Sequence, residues 1–505
     1  MYGIGSMLRK TGAFFMRRSF SSDDDLYWDI FREYVQSLVR SYHIGVEFFV
    51  EGTRSRTFKA IPPKVGLLSM ALEPFVMGEV GDVTIVPVSV SYEKVLEEEL
   101  FVYEMLGVPK PKESTTGLFK AFKVVQKNFG KMYMDFGEPI SAREYFSGKD
   151  IDRVSRASVT AHVQKLNKME IQAVKDLANE IVVKQQEGIV ITTFNLIAIY
   201  YSFSQYVGNE VKLAYLCEGV EILKSLFESL GANVATNGKS IQYDIMEALE
   251  VHHNILKLNK GTVELITNGI DFQPIDPKRL KGFPLSKETM QTAVPIMSLQ
   301  IYINPCLFWL SNLSYAILGA LGITHEASTF SREVLQTTFN ELSAIFSSEF
   351  ILEDNFDKTF KVLIEIEVFE QLGDFFIFKN NHISKVILSS FAPFMCIYLQ
   401  LADTILEEFP SSQFKSQEVL KTTQKRVEKL LSSTEKSYVH NYCLALDNLQ
   451  VAFSSFTKND CFEQLENGDF KVNGGNLSSL RQLLQNYCQL LPFSFQPTLK
   501  LISKL

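Results

Sequence analysis

From Thr289 to Thr324 the chain carries no Asp, Glu, Lys or Arg. A run of that length exceeds what a bilayer span needs, so it belongs in a core or against lipid. Pro295, Asn304, Pro305, Ser311 and Asn312 interrupt it. That pattern suits two buried helices; a helical pair resting on a membrane surface is the other reading. Two shorter runs, Gly188–Asn209 and Val386–Ala402, also lack full charges. Amphipathic, charge-dotted patterns surround them over Asp152–Gln186, Leu213–Leu230, Phe330–Phe350, Phe360–Leu372, Gln417–Leu431 and Leu480–Leu490. Residues 149–505 therefore read as mainly helical, with apolar segments that could rest on a membrane.

Ahead of Phe146–Asp150 the periodicity changes. Val46–Val50, Val83–Tyr92 and Lys131–Phe136 are β-type runs, whereas Asp24–Arg40, Val65–Met77 and Leu118–Asn128 have helical spacing. Asp23–Asp25 sit where a helix start favours negative charge. Strands alternating with helices predict an α/β fold over residues 1–148, a sheet covered by helices. The 505 residues are 46% hydrophobic, enough for two domains and a large core. The 40 Phe leave apolar surface to spare, for which a membrane-contacting face is one use. A net charge of −8 argues against a general nucleic-acid binder. Six scattered cysteines form no C-x-x-C pair and no metal spacing with histidine. They are expected as buried thiols in a reducing compartment, and no metal site is expected.

Within residues 1–148 two arginine clusters follow apolar runs. In "FFVEGTRSR", Phe48–Arg56, Gly52 permits a sharp turn. Arg54 and Arg56 offer planar donor forks that suit phosphate oxygens. Thr53 and Ser55 add hydroxyls, and Glu51 can hold an arginine in place. Taken alone, the stretch is equally an exposed basic loop. The second cluster, Arg17 and Arg18 in "GAFFMRRSF", favours an anionic ligand shared by both, with Arg18 and Arg54 converging on it. A third element, "TIVPVSV" at Thr84–Val90, places Pro87 inside a β-rich run, which marks an edge, a bulge or a wall beside a ligand.

Together these residues resemble the glycerol-phosphate and dihydroxyacetone-phosphate acyltransferase family. Its second block, G-x-x-F-[IM]-[RD]-R, is met by Gly12, Phe15, Met16, Arg17 and Arg18. Its third, F-x-E-G-T-R-S-R, is met in full by Phe49, Glu51, Gly52, Thr53, Arg54, Ser55 and Arg56, and its fourth, I-V-P-V, by Ile85–Val88. The third block is the specific one. The resemblance implies that Arg18, Arg54, Arg56 and Lys64 bind the phosphate of a three-carbon acceptor. Arg17, Glu51, Gly52, Thr53 and Ser55 would complete the substrate pocket, and Val86, Pro87 and Val88 would line the acyl-CoA side. "LYWDIFREYV", Leu26–Val35, and "VPKPKESTTGLFKA", Val108–Ala121, are similar to the peroxisomal, dihydroxyacetone-phosphate branch.

That branch implies transfer of a long-chain acyl group from acyl-CoA to dihydroxyacetone phosphate, the first step of ether-lipid (plasmalogen) synthesis. It needs no metal or bound cofactor, acyl-CoA being a co-substrate. A membrane surface and alkyl-dihydroxyacetone-phosphate synthase are the implied partners. The final Ser503, Lys504 and Leu505 form a peroxisomal address read by an import receptor. The expected place is the matrix side of the peroxisomal membrane, peripherally bound. Met1–Ser22 is acid-free like a mitochondrial transit peptide, but its Gly12–Arg18 portion is already accounted for by the second block.

The family's first block, H-x-x-x-x-D, supplies the general base for the acceptor hydroxyl. None of His43, His162, His252, His253, His325, His382 and His440 has an Asp five residues on. The chain is therefore expected to be a fragment or a weakly active isoform, with a sheet face left uncovered. The rival expectations are a non-catalytic binding or scaffold subunit of the peroxisomal ether-lipid pathway, and a glycerol-3-phosphate acyltransferase.

Overall fold

The computed structural model describes residues 4–17, 24–41, 45–110, 128–149, 151, 165–267, 279–353, 355–410, 413–433, 438–493 and 495. The chain divides into two units whose segments alternate along the sequence. Met1–Thr53, Pro62–Pro87 and Gly137–Val182 make the first; Arg54–Ile61, Val88–Phe136 and Val183–Leu505 make the second.

In the first unit the helix Asp25–Arg40 starts just after Asp24, as the acidic run predicts. Its apolar spacing lays Phe31 and Val35 against Met70 of the helix Gly66–Val76, with Phe14, Tyr27, Trp28 and Leu67 packed around them. Glu73 is buried on the second helix. Gln36 Nε2 donates to its carboxylate at 2.6 Å, and Arg32 Nε lies 3.3 Å away. Burial pushes Glu73 above the usual carboxylate range against the opposing Arg32 charge. Thr84–Ile85 pairs antiparallel with Ile140–Ser141. Asp82 ties this pair down, accepting from Ser141 Oγ at 2.6 Å and from the Arg143 N–H at 2.9 Å.

The second unit is mainly helical and holds the large core. Thr193–Tyr206 opens on a reciprocal capping box between Thr192 and Asn195 and is buried on nearly every side. The long charge-free run becomes Lys287–Ile303 and Leu307–Glu326, joined by a 3-10 turn at Asn304–Cys306. Pro305 sits in that turn, where its missing N–H costs no helical bond. By length and composition this helical pair and His382–Glu408 could each cross a membrane, yet 67% and 100% of their most apolar windows are buried inside the protein. Rings supply much of that core: Phe346 packs against Phe391 at 4.8 Å and Tyr398 at 4.6 Å between centroids. All six cysteines are free; five are buried and Cys217 is partly exposed.

Several expectations are corrected. Among the described residues Val46–Val50 has no ladder partner, and it is not a strand. No continuous sheet is present among the described residues, whose strands form six two-stranded pairs. Phe360–Leu372 is not one helix: Phe356–Glu365 is helical, then Phe369–Leu372 pairs with Phe375–Phe378. Gly373, at φ +62°, begins the two-residue Gly-Asp turn that such a hairpin favours. Lys168–Glu187 is the helical part of the expected Asp152–Gln186. Residues 152–164 and 118–127 lie outside the described residues.

Val88–Tyr92 and Met132–Phe136 form an antiparallel ribbon in the second unit. Its polar side faces inward: Ser89 Oγ donates to the Gln185 carbonyl at 2.6 Å, and Ser91 Oγ accepts from the Val190 N–H at 3.0 Å. Val90, Tyr92, Met132, Met134 and Phe136 are exposed on the other side. Cross-strand register places Val90 opposite Met134 and Tyr92 opposite Met132.

Candidate functional site

Glu51, Gly52, Thr53 and Lys64 belong to the first unit. The chain turns back after Phe49, whose carbonyl accepts from the Gly52 N–H at 3.0 Å, while Lys64 N–H reaches the Val50 carbonyl at 2.8 Å. Gly52 sits at φ +66°, and a Cβ there would lie 2.9 Å from Lys64 Cδ. Both facts call for glycine, and they bring the Lys64 stem onto the third-block turn. Arg17 is held at the start of Asp25–Arg40. Its Nη1 is 3.1 Å from Asp24 Oδ1, and its guanidinium lies 4.5 Å from the Tyr27 ring centre. Arg18 lies outside the described residues, and so does its expected convergence with Arg54; Ser503, Lys504 and Leu505 also lie outside.

Arg54, Ser55 and Arg56 belong to the second unit, and the two arginines lie beside the acidic helix Glu98–Met105. Positions 97, 101 and 104 share one face at i, i+4 and i+7 spacing. Arg54 Nη1 donates to Glu97 at 2.6 Å and its guanidinium stands 5.8 Å from the Phe101 ring centre. Arg56 Nε donates to Glu104 at 2.7 Å and its Nη1 to Asp447 at 3.1 Å. The two arginines are thus unequal. Arg54 is 68% exposed with one surface carboxylate beside it, a pairing worth ~0–1 kcal/mol and easily exchanged. Arg56 is part-buried between two carboxylates. Burial alone would lower its pKa, but Glu104 and Asp447 hold it above the ordinary arginine value. Ser55 Oγ is 3.2 Å from Thr57 Oγ1.

Behind the arginines the chain is fixed residue by residue. The Thr57 carbonyl accepts from Asn304 Nδ2 at 2.6 Å. Phe58 adopts φ +62°, a left-handed conformation that costs a bulky residue about 1–2 kcal/mol. Its ring meets Phe101 and Tyr302 edge-on, each at 6.1 Å. Lys59 is buried against Glu349. Sequence reasoning missed Glu97, Glu104, Asn304, Glu349 and Asp447. The i, i+7 pair of acids flanking Phe101 could have pointed to the first two; Asp447 and Glu349 are too distant in sequence to leave a local mark.

Pro87 splits the β-rich run in two. Thr84–Ile85 and Val88–Tyr92 take different partners, and the Pro87 carbonyl accepts from the Gly137 N–H at 2.9 Å. Val86 is exposed. Among the described histidines, His252 stacks on Phe194 at 3.5 Å, His382 meets the Tyr200 hydroxyl at 3.1 Å, and His440 meets that of Tyr206 at 3.0 Å. His43 and His162 lie outside the described residues. Among the described residues no group of three or more His, Cys, Asp or Glu could hold a metal ion.

The family model described as glycerol-3-phosphate acyltransferase C-terminal region matches residues 101–462, and one described as acyltransferase matches residues 1–91. The chain belongs to the glycerol-phosphate and dihydroxyacetone-phosphate acyltransferase family. Dihydroxyacetone phosphate acyltransferase of Homo sapiens is 33% identical over 500 residues, 95% of this chain and 69% of that protein. The protein of the same name from Oryctolagus cuniculus is 31% identical over 497 residues, again 95% and 69%. Glycerol-3-phosphate acyltransferase of Pseudoalteromonas translucida is 37% identical over 199 residues, but these are 39% of this chain and 24% of that protein. Family membership makes the chain an acyltransferase with a helical C-terminal region.

Proposed function

We propose that the chain transfers a long-chain acyl group from acyl-CoA to the free hydroxyl of dihydroxyacetone phosphate, as the first step of ether-lipid synthesis. Arg54 is the residue on which the reading turns: the third block is complete, and this guanidinium is exposed with a single exchangeable carboxylate partner among the described residues. A phosphate oxygen pair can replace the Glu97 carboxylate on its fork. Fixing the phosphate orients the acceptor hydroxyl and removes part of the entropic barrier to attack on the thioester. The leaving group is coenzyme A as its thiol, and the acceptor proton must pass to a base. Arg17, Arg18, Glu51, Gly52, Thr53, Ser55, Arg56 and Lys64 keep the substrate-side roles that the family pattern gives them, and Val86–Val88 the acyl-CoA side. Residues 1–148 serve as the acyltransferase portion and 149–505 as the helical remainder. Neither metal nor bound cofactor takes part. Ser503–Leu505 direct the chain through the import receptor to the peroxisome, where it works on the matrix side at the membrane surface beside alkyl-dihydroxyacetone-phosphate synthase.

The test is turnover of acyl-CoA with dihydroxyacetone phosphate by the purified chain. Arg54→Ala is expected to lower the rate on the order of 10²-fold. Unchanged turnover in that variant would remove Arg54 from the reaction. The second reading, a non-catalytic phosphate-binding subunit, keeps the Arg54 contact and omits the transfer. It predicts retained binding of dihydroxyacetone phosphate without any acyl transfer. Preference for glycerol 3-phosphate in the same assay would favour the rival expectation of a glycerol-3-phosphate acyltransferase.

A further inference from the structure

We propose that Asn304 and the Lys59–Glu349 pair are positioning residues that aim the Arg54 side chain, acting through the backbone of Thr57–Lys59. The proposal rests on the reading of Arg54 as the phosphate donor. Arg54 itself has weak holds, a surface carboxylate and the face of one ring, whose centre is 5.8 Å away. Its direction therefore depends on the chain behind it. There, three successive residues are each fixed by a different part of the helical unit. Asn304 clamps the Thr57 carbonyl, and its own Oδ1 is oriented by Gln300 Nε2 at 3.0 Å. Phe58 is held in a backbone conformation that aromatic residues rarely adopt, and such strain persists only where neighbours over-determine it. Lys59 pairs with Glu349 and lies 4.6 Å from the Phe394 ring centre and 5.4 Å from that of Phe350.

Lys59 and Glu349 are only 7% and 3% exposed. Burial pulls Lys59 well below the ordinary lysine range, so holding the two groups together here is costly, and its use lies in what the geometry fixes. The polar groups do not bind the acceptor themselves. The cavity that Phe58, Lys59, Asn304 and Glu349 help to line measures about 10 Å³, far below the size of a small-molecule site. The break in the charge-free run thus acquires a purpose: the turn at Asn304–Cys306 delivers one amide to the third-block segment.

The experiment is calorimetric titration of the full chain and its variants with dihydroxyacetone phosphate, well below each variant's melting temperature. Inorganic phosphate serves as a second probe. Asn304→Ala and Glu349→Leu are expected to weaken binding by about 10- to 100-fold while remaining folded, the scale on which small misplacements act. Glu349→Gln, which keeps an acceptor for Lys59, is expected to recover most of the affinity. A merely structural role would lower melting temperatures and leave the affinity of the folded protein unmoved. Asn304→Ala buries no unpaired charge, so it decides the matter if Glu349→Leu does not fold. Folded variants that bind within about twofold of the parent would overturn the proposal. A parent chain that binds neither probe would instead defeat the reading of Arg54, and this inference with it.

Discussion

Arg54 and Arg56 stand two residues apart with the same chemistry and different duties. Removing Arg56 strands Glu104, whose side chain is 11% exposed, and takes a partner from Asp447. Arg56→Ala is therefore expected to lower unfolding free energy by about 1–3 kcal/mol. Arg54→Ala is expected to stay within about 0.5 kcal/mol of the parent. Urea midpoints of the two variants check this. The block was legible in the sequence down to its last residue, because contiguous motifs are written in the order they are read. The division of labour was not, since Asp447 reaches Arg56 across hundreds of residues of chain. Histidines follow the same rule. Burial pushes His440 down to about 3, and burial also lowers His252 and His382. Between about pH 6.5 and 3 the unfolded chain takes up a proton at residue 440 that the folded protein refuses. Stability from this source is complete above about pH 6.5 and is lost as pH falls. Thermal midpoints should drop from pH 7.5 to 5, and His440→Asn should flatten part of that slope.

At the level of elements, helices with a single apolar stripe were legible: Leu213–Leu230 begins and ends where its spacing predicts. Strands were harder, because a β-run needs a partner that its own residues do not name. Val46–Val50 has the composition and lacks the ladder. The Leu-Gly-Asp-Phe sequence at 372–375 did carry a hairpin mark, and helical spacing on both sides hid it. The ribbon Val88–Tyr92/Met132–Phe136 shows the limit of alternation as a guide. Period two was correct, but the apolar set faces outward because Ser89 and Ser91 find carbonyl and amide partners inside. Met134→Lys at the centre of the outer face should leave the serine contacts intact and reduce binding of an apolar dye. Light scattering of concentrated samples should fall in parallel, as expected when a sticky sheet face acquires a charge. Unchanged dye binding would mean that this face is covered in solution.

For the whole molecule, the two units are interleaved in sequence, so pattern changes along the chain could not reveal them. Residues 54–61 and 88–136 belong with the helical second unit although they precede it by far. A fragment of residues 149–505 would leave Asn304 without the Thr57 carbonyl and Glu349 without Lys59. It is expected to unfold at a lower urea concentration than the full chain, or to express insolubly. Co-expression with residues 1–148 should restore solubility if those contacts matter as described. The five buried sulfurs give this unit an internal clock. Burial lifts Cys443 to about 12 and Cys461 to about 11, so neither is a thiolate at neutral pH. A maleimide added to the native chain should label Cys217 first and the rest only as helices part. Counting modified thiols by mass against time would then time the opening of the interior, without any probe having to be engineered in.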